Sequence, residues 1–410
     1  MTQQNKNRVR VLYSFPNKLG AARICYTAWQ QVNGLAAAGA DVTVLTGDLL
    51  RPVPEGVKVH TTLARGKLRI PYKLIGNANA VHLHDYLVAR RLEKMVGKVD
   101  IIHTWPQGAL RTLKAAARLR IPTVLERCNA HTRYSYEVVR QECERLGVAL
   151  PPGHESAFSE EVLRVEEEEF QRANRLLCPS QFVVKTFLDR GFSQERLARH
   201  IYGYDEKTYF PESPQSSQGK GKGLNILFVG VCAVRKGVHH ALEAWLRSPA
   251  SREGTFNIAG EFLPAYAEKL RPLLSHPSVH ALGHRKDVPE LMRKSDLLVL
   301  PSLEEGFGLV CTEAMGSGCV PLVSDACTDV CRHMENALVH RVGDVDSLTR
   351  QITLMHENRQ LLAKLRENGL SILSELTWDA AGVKLLEAYE ETIAMYRRQP
   401  AAIAEVPTVA

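Results

Sequence analysis

The sequence predicts an α/β chain of two doubly wound domains facing each other across a cleft. Three observations carry this. The chain has 410 residues, above the usual range of a single domain. Short β-rich runs alternate with amphipathic stretches along most of its length, as expected for βα units around a parallel sheet. That pattern stops near residue 210 and restarts near 225, and between them lies the Pro/Ser/Gly/Lys-rich run PESPQSSQGKGKG. The expected boundaries are 1–210 for the first domain, 211–224 for a linker and 225–377 for the second domain. A closing helix over 378–398 and a disordered tail over 399–410 follow.

In chain order, RVRVLYSF (8–15) is the first strand, and the loop PNKLGAAR leads to a helix ending near Gly39. DVTVLT is the second strand. ARRLEKMVGKV reads as helical and DIIHTW (100–105) as the strand after it. RTLKAAARLR is a helix and IPTVLER a strand. A long helical region follows, in which SEEVLRVEEEEFQRAN places apolar residues at 162, 163, 165, 170 and 173. Its acidic run, Glu166 to Glu169, reads as an exposed face. RLLCPS is the last strand-like piece of this half. The second half restarts with the strand NILFVG (225–230) and the helix VHHALEAWLRS. TFNIAG, VHALG, DLLVLPS and VPLVSD are further strands, and 345–375 is helical. TWDAAGVKLLEAYEETIAMYRR reads as one closing helix.

Composition is that of a globular chain, 45% hydrophobic and 24% charged. No apolar run approaches the roughly 20 residues a spanning helix needs. MTQQNKNRVRVLYSF lacks the apolar stretch and cleavage site of a secretory signal, so a cytoplasmic chain is expected. The nine cysteines form no CxxC pair. Cys327 and Cys331 are four apart with no second pair at zinc spacing, so free thiols in a reducing compartment are the reading and no metal is expected. The net charge of +7 is uneven, with residues 1–150 carrying 23 Lys and Arg against 10 Asp and Glu. Such a half is either a solvated basic surface or one that attracts an anionic acceptor or an anionic membrane from the inner face. No aromatic-basic pattern or binding module accompanies the charge, which argues against nucleic acid.

LPSLEEGFGLVCTEAMGSG (300–318) holds the densest chemistry. A strand runs into a glycine loop and then a helix, a turn whose N–H groups and positive helix end suit a phosphate. Gly306 and Gly308 let backbone approach a ligand. Glu305 stands at the strand's carboxyl end, where it can accept from sugar hydroxyls. Glu313, eight positions on, lies about one turn into the helix and suits vicinal ribose hydroxyls. The bland alternative is that both carboxylates only favour a helix start.

EGFGLVCTEAMGSGCVPLVSD resembles the Glu-x7-Glu region of the retaining glycosyltransferase family 4, whose members have the GT-B fold of two Rossmann-like domains. FVGVCAVRKGVHHALEAW, DVPELMRKSDLLVLPS and CPSQFVVKTFLDRG resemble further stretches of that family. The resemblance implies a nucleotide-sugar site in the second domain and an acceptor site in the first. It implies Glu305 and Lys236 as catalytic residues. Arg235, Gly306, Phe307, Gly308, Leu309, Glu313, Gly20 and His284 are implied on the donor. Val231 stands where the family often has Arg, and Ala21 replaces a usual second glycine after Gly20. On the acceptor side it points to His103, at the end of a D-x-x-H-like strand and aimed at the cleft. Arg127 and His131 of TVLERCNAHTRYSY, beside Glu126, are the other polar candidates there.

The activity implied is retaining, metal-independent transfer of a sugar from a nucleotide-diphosphate donor to a glycan or lipid-linked acceptor in polysaccharide or cell-envelope synthesis. No cofactor is expected beyond the donor substrate. In the front-face mechanism proposed for such enzymes the leaving phosphate helps take the acceptor's proton. Two alternatives stay open, an inactive nucleotide-sugar-binding subunit and a GT-B nucleotide-sugar epimerase. The absence of G-x-G-x-x-G after either first strand argues against a dehydrogenase. The closing helix is expected to return to the first domain, so that it and the linker are the only two crossings.

Overall fold

The computed structural model describes residues 8–65, 68–69, 75–212 and 223–398. Most of the expected linker (213–222) and the whole expected tail (399–410) lie outside the described residues.

Among the described residues the first sheet has seven parallel strands. They are β1 (Arg10–Leu19), β2 (Asp41–Leu49), β3 (Lys58–Thr61), β4 (Ile101–Thr104), β5 (Thr123–Glu126), β6 (Arg175–Cys178) and β7 (Leu197–Arg199), in the order 3-2-1-4-5-6-7. The second sheet has six: β8 (Asn225–Val229), β9 (Thr255–Ala259), β10 (Val279–Gly283), β11 (Leu297–Leu300), β12 (Val320–Ser324) and β13 (Leu338–His340). Their order is 10-9-8-11-12-13, again all parallel. A two-residue ribbon, Ala64–Arg65 with Leu68–Arg69, stands apart. In each sheet the order reverses beside the first strand, between β1 and β4 and between β8 and β11. Ligands of doubly wound sheets bind outside the carboxyl ends at such switch points.

The helices around the first sheet are α1 (Ile24–Ala37), α2 (Asn77–Leu92), α3 (Leu110–Leu119), α4 (Thr132–Leu146), α5 (Glu160–Arg172) and α6 (Gln181–Leu188). Those that follow are α7 (Val238–Arg247), α8 (Pro264–Leu274), α9 (Val288–Lys294), α10 (Leu309–Gly316), α11 (Val345–Glu357), α12 (Arg359–Ser371) and α13 (Trp378–Arg398). Strands β4, β6 and β11 are buried at every residue, the signature of parallel strands covered by helices on both faces. The stretch read as helical over 345–375 holds two helices and a closing 3₁₀ turn. Asn358 ends the first and caps the second, its Oδ1 accepting from Leu361 N at 2.9 Å. The helix read over 89–99 ends as regular α-helix at Leu92, followed by a single 3₁₀ turn.

Helix α13 packs on the first sheet. Leu385, Tyr389 and Ile393 join Val11, Tyr13, Val32 and Leu35 in one core. It crosses α1 where Gly34 meets Gly382, and a methyl on either would overlap the other helix's backbone. A further crossing, unforeseen in the sequence, is α4. It follows a strand of the first sheet, yet its apolar stripe of Val139, Cys143 and Leu146 packs in one core with Ile226, Phe228 and Val238 of the second half. The spacing of four and three places that stripe on one helix face.

The acidic run of α5 is also corrected. Glu166 and Glu169 are buried. Glu169 accepts from the N–H groups of Gln107 at 2.7 Å and Ala109 at 2.9 Å, and burial pushes its carboxyl up to about 8. Glu166 pairs with Arg127 at 3.0 Å.

Candidate active site

Two loops meet at the carboxyl ends of β8 and β11. The first runs through a 3₁₀ turn, Val234–Lys236, into Gly237 and α7. Gly237 is left-handed (φ +66°), and a Cβ there would strike the Pro301 carbonyl of the second loop, so this close approach needs glycine. The loops are further joined by Leu303 N–H, which donates to the Arg235 carbonyl at 2.8 Å.

At this junction the Lys236 ammonium is ion-paired with Glu305 Oε2. Ser302 Oγ donates to the same oxygen at 3.3 Å, and Arg235 lies 3.8 Å from Oε1. Burial drives the Glu305 carboxyl up, but Lys236 and then Arg235 outweigh it and hold the group below the usual range. Glu305 is thus an ionised carboxylate between two cations. Arg235 also donates to the carbonyl and to Oε1 of Glu304, both at 3.2 Å. Burial opposes its charge, and Glu304 and Glu305 restore it.

Helix α10 begins at Leu309 after Gly308, which is left-handed (φ +73°). The first N–H groups of such a helix have no intrahelical acceptor. Gly306 sits where a side chain would overlap the Cys128 carbonyl of the opposite half. Its demand for glycine is an interdomain contact rather than a turn. Glu313 is half-buried within α10 and hydrogen-bonded to the Tyr209 hydroxyl, and burial pushes its carboxyl up to about 7. Tyr26 of α1 is bonded to Asp205, which faces Glu313 and Tyr209. Gly20 stands at the head of α1, left-handed (φ +84°), its carbonyl accepting from Arg51 Nε at 2.9 Å.

Lys236, Arg235, Glu305, Gly306, Gly308 and Leu309 come together as the sequence predicts. Four other named residues have different surroundings. The Phe307 side chain is buried edge-on to Tyr202 (5.5 Å) and so packs between the halves instead of facing a donor. His284 is exposed at the end of β10, the edge strand. His103 does not face the cleft. It is fully buried, stacked on Tyr13 (4.4 Å), with Nδ1 2.5 Å from the Tyr389 hydroxyl of α13, and burial lowers it to about 3. His131 caps α4, its Nδ1 accepting from Arg133 N at 3.2 Å among Phe170, Phe187 and Phe192, and burial lowers it to about 3.

Arg127 does line the cleft, a hollow of about 330 Å³ between the halves. Its guanidinium is committed to Glu166, to the Ala130 carbonyl (3.0 Å) and to the Phe170 ring (4.3 Å). Opposite it stand Arg235 and Glu304, and Ser135 of α4 donates to Glu304 Oε1 at 2.9 Å. Glu304, Ser135 and Tyr209 were missed in the sequence. The Glu doublet in LEEGFG was the available signal for the first. Val231 is 42% exposed just past β8, so no side-chain cation stands at that position.

One group among the described residues has metal-ligand spacing, Glu142 of α4 with His239 and His240 of α7. It is a clasp between the halves. Glu142 Oε1 lies 2.7 Å and 3.2 Å from the two Nε2 atoms and 2.6 Å from Arg145. The Tyr266 hydroxyl, 2.5 Å from His239 Nδ1, leaves Nε2 as the donor to Glu142.

Comparison with known proteins places this geometry. Residues 26–200 match the model described as Glycosyltransferase Family 4, and residues 223–358 that described as Glycosyl transferases group 1. The chain belongs to glycosyltransferase family 4. Among curated relatives of this family-4 chain, the N,N'-diacetylbacillosaminyl-diphospho-undecaprenol alpha-1,3-N-acetylgalactosaminyltransferase of Campylobacter jejuni is 29% identical over 122 residues. That stretch is 29% of this chain and 32% of the relative. Lipopolysaccharide glucosyltransferase WaaG of Escherichia coli is 33% identical over 134 residues, 30% of this chain and 36% of that protein. The chain thus spans about a third of the length of these relatives. Among solved structures, sucrose-phosphate synthase from Thermosynechococcus elongatus superposes with a TM-score of 0.68 at 18% identity, over 95% of this chain and 100% of that one. Anabaena HepE in complex with UDP-glucose gives 0.63 at 20%, over 95% and 100%. The two facing parallel sheets are the GT-B fold.

Proposed function

We propose that this family-4 chain moves a sugar from a nucleotide-diphosphate donor to a hydroxyl of a glycan or lipid-linked acceptor, with retention at the anomeric carbon and without a metal. The observation that carries the reading is the Lys236–Glu305 pair, buried where two loops converge at a switch point, with Arg235 beside it. Breaking the anomeric bond leaves positive charge on the sugar and negative charge on the diphosphate. An arriving diphosphate takes Lys236 as its counter-ion, assisted by Arg235 and the N–H groups at the start of α10. Glu305, ionised because of those cations, then accepts from the donor sugar's hydroxyls and holds the ring. Glu313 takes the ribose. The leaving phosphate oxygen receives the acceptor's proton on the face it departs from, so no protein nucleophile is assigned.

The names of these relatives support the substrate class. One acts on a diphospho-undecaprenol-linked sugar, another on lipopolysaccharide, and the HepE structure holds UDP-glucose. We place the chain in polysaccharide or cell-envelope synthesis. It would work in the cytoplasm, with its basic first half against the inner face of an anionic membrane. No described helix is long and apolar enough to cross a membrane.

The test is binding and turnover of a panel of nucleotide sugars, wild type beside Glu305→Gln. One donor should bind both proteins and be slowly hydrolysed by the wild type, with turnover falling about 10²-fold or more in the variant. A donor bound but turned over by neither, even with acceptor extracts present, would establish an inactive binding subunit. An altered nucleotide sugar formed from donor alone would establish an epimerase.

A further inference from the structure

A second hollow adjoins the cleft. It measures about 440 Å³, and its apolar wall is Tyr136, Cys143, Val148, Leu150, Ala157 and Phe158. Tyr136 and Ser156 line both this hollow and the cleft, so the two share a wall. Phe158 is 65% exposed, its ring edge-on to Tyr136 at 5.5 Å. Arg140 and Glu144, also on the hollow, are bonded to each other at 3.0 Å. An exposed aromatic beside an apolar hollow marks a surface that gains from being covered.

The cleft wall supplies the complementary feature. Glu304 is 1% exposed. Its Oε1 is taken by Ser135 and Arg235, while its Oε2 has no hydrogen-bond partner among the described residues. A buried carboxylate oxygen without a donor is rare, and here it belongs to a residue of the cleft wall, just beneath the cleft surface. A hydroxyl-accepting oxygen on the cleft and an apolar hollow beyond Tyr136 describe a ligand with two chemistries.

We propose that the acceptor is an amphiphile. Its sugar head would donate a hydroxyl to Glu304 Oε2 in the cleft, and its hydrocarbon chain would lie in the hollow over Tyr136 and Phe158. The proposal rests on the glycosyl-transfer reading and narrows its acceptor from glycans in general to lipid-linked ones. A free glycan would leave Phe158 in water and bring hydroxyls to a wall that offers them little.

The test is a series of alkyl glucosides, methyl, butyl and octyl, each below its critical micelle concentration. Binding to the full chain is read by calorimetry, so no turnover is needed and the proposal fails separately from the glycosyl-transfer reading. Each buried methylene is worth about fourfold in affinity, so partial burial predicts octyl binding at least about tenfold tighter than butyl. Phe158→Asp and, separately, Ala157→Asp should collapse that ratio towards one. Glu304→Gln should weaken all three ligands by about tenfold without changing the ratio. Equal affinities along the series, or a ratio kept in both hollow variants, would overturn the proposal. So would light scattering that shows a dimer dissolved by Phe158→Asp, since a second copy would then be the occupant.

Discussion

Under the proposed function, donor affinity should fall about tenfold between pH 8 and pH 6, and one carboxyl should account for the loss. Glu313 is half-buried in α10 against Tyr209. Burial pushes it up to about 7, the Tyr209 hydrogen bond pulls it part of the way back, and Asp205 adds to the rise. Below that value the group holds a proton, and above it the group is the carboxylate a ribose diol needs. If only the ionised form binds, the apparent Kd is multiplied by one plus 10^(7−pH). That factor is about 11 at pH 6, 2 at pH 7 and 1.1 at pH 8, and its span is about 1.4 kcal/mol. The assay is calorimetry with a nucleotide-diphosphate sugar, because a free nucleoside diphosphate has a terminal phosphate titrating near 6. Glu313→Gln should flatten the profile at weaker affinity. Tyr209→Phe removes the bond that lowers the carboxyl and should move the midpoint upward. A flat wild-type profile, or the same slope in Glu313→Gln, would refute the reasoning.

Four further outcomes follow from the geometry. Gly306→Ala should wedge the halves apart, because its methyl overlaps the Cys128 carbonyl, and should raise the radius of gyration in X-ray scattering. Gly308→Ala meets only ordinary contacts and should cost about 1–2 kcal/mol of left-handed strain with no change in shape. Tyr389→Phe should lower stability by about 1–3 kcal/mol in a denaturant titration, by stripping buried His103 of its partner, and should leave kcat/KM unchanged. The Glu142 clasp should make the fold acid-sensitive. Burial lowers His239 to about 4, with Glu142 opposing, so between that value and 6.5 the unfolded chain binds more protons. For Glu142, burial raises the carboxyl but bonds from His239, His240 and Arg145 outweigh it, so its stabilisation is present above about 4.5 and is lost on acidification. Melting temperature should therefore drop from pH 7 to pH 5, and Glu142→Gln should cost about 1–3 kcal/mol at pH 7.

What could be read in the sequence was local. The strands of continuous apolar residues and the loop from Leu300 to Gly318 announce themselves within a few residues, and Glu305 was found there, while Arg235 and Lys236 came from the family resemblance of FVGVCAVRKGVHHALEAW. Their pairing was not, because 69 positions separate Lys236 from Glu305. His103 was misplaced for the same reason. A histidine at a strand end gives no sign of its direction, and its partner, Tyr389, lies 286 positions away. The run Glu166–Glu169 looked solvated because its partners, Arg127 and the N–H groups of Gln107 and Ala109, stand 39 to 62 positions upstream. The edge strands β3, β7 and β13 have three or four residues, too few to show a period.

The unforeseen crossing changes how closure works. A linker and a returning helix alone would leave the cleft free to hinge. Helix α4 instead starts on the first sheet's side and touches the second half along its whole length, Ser135 to Glu304, Val139 and Cys143 into the core, Glu142 to the two histidines. At about 0.5–1.5 kcal/mol per buried hydrogen bond, parting these contacts costs several kcal/mol before any apolar surface is counted. The closed arrangement is therefore supported without a donor. The same helix supplies Ser135 and Tyr136 to the cleft wall. Ser135 and Glu304 therefore belong both to the cleft wall and to the contact that holds the two halves together, so a single element serves both.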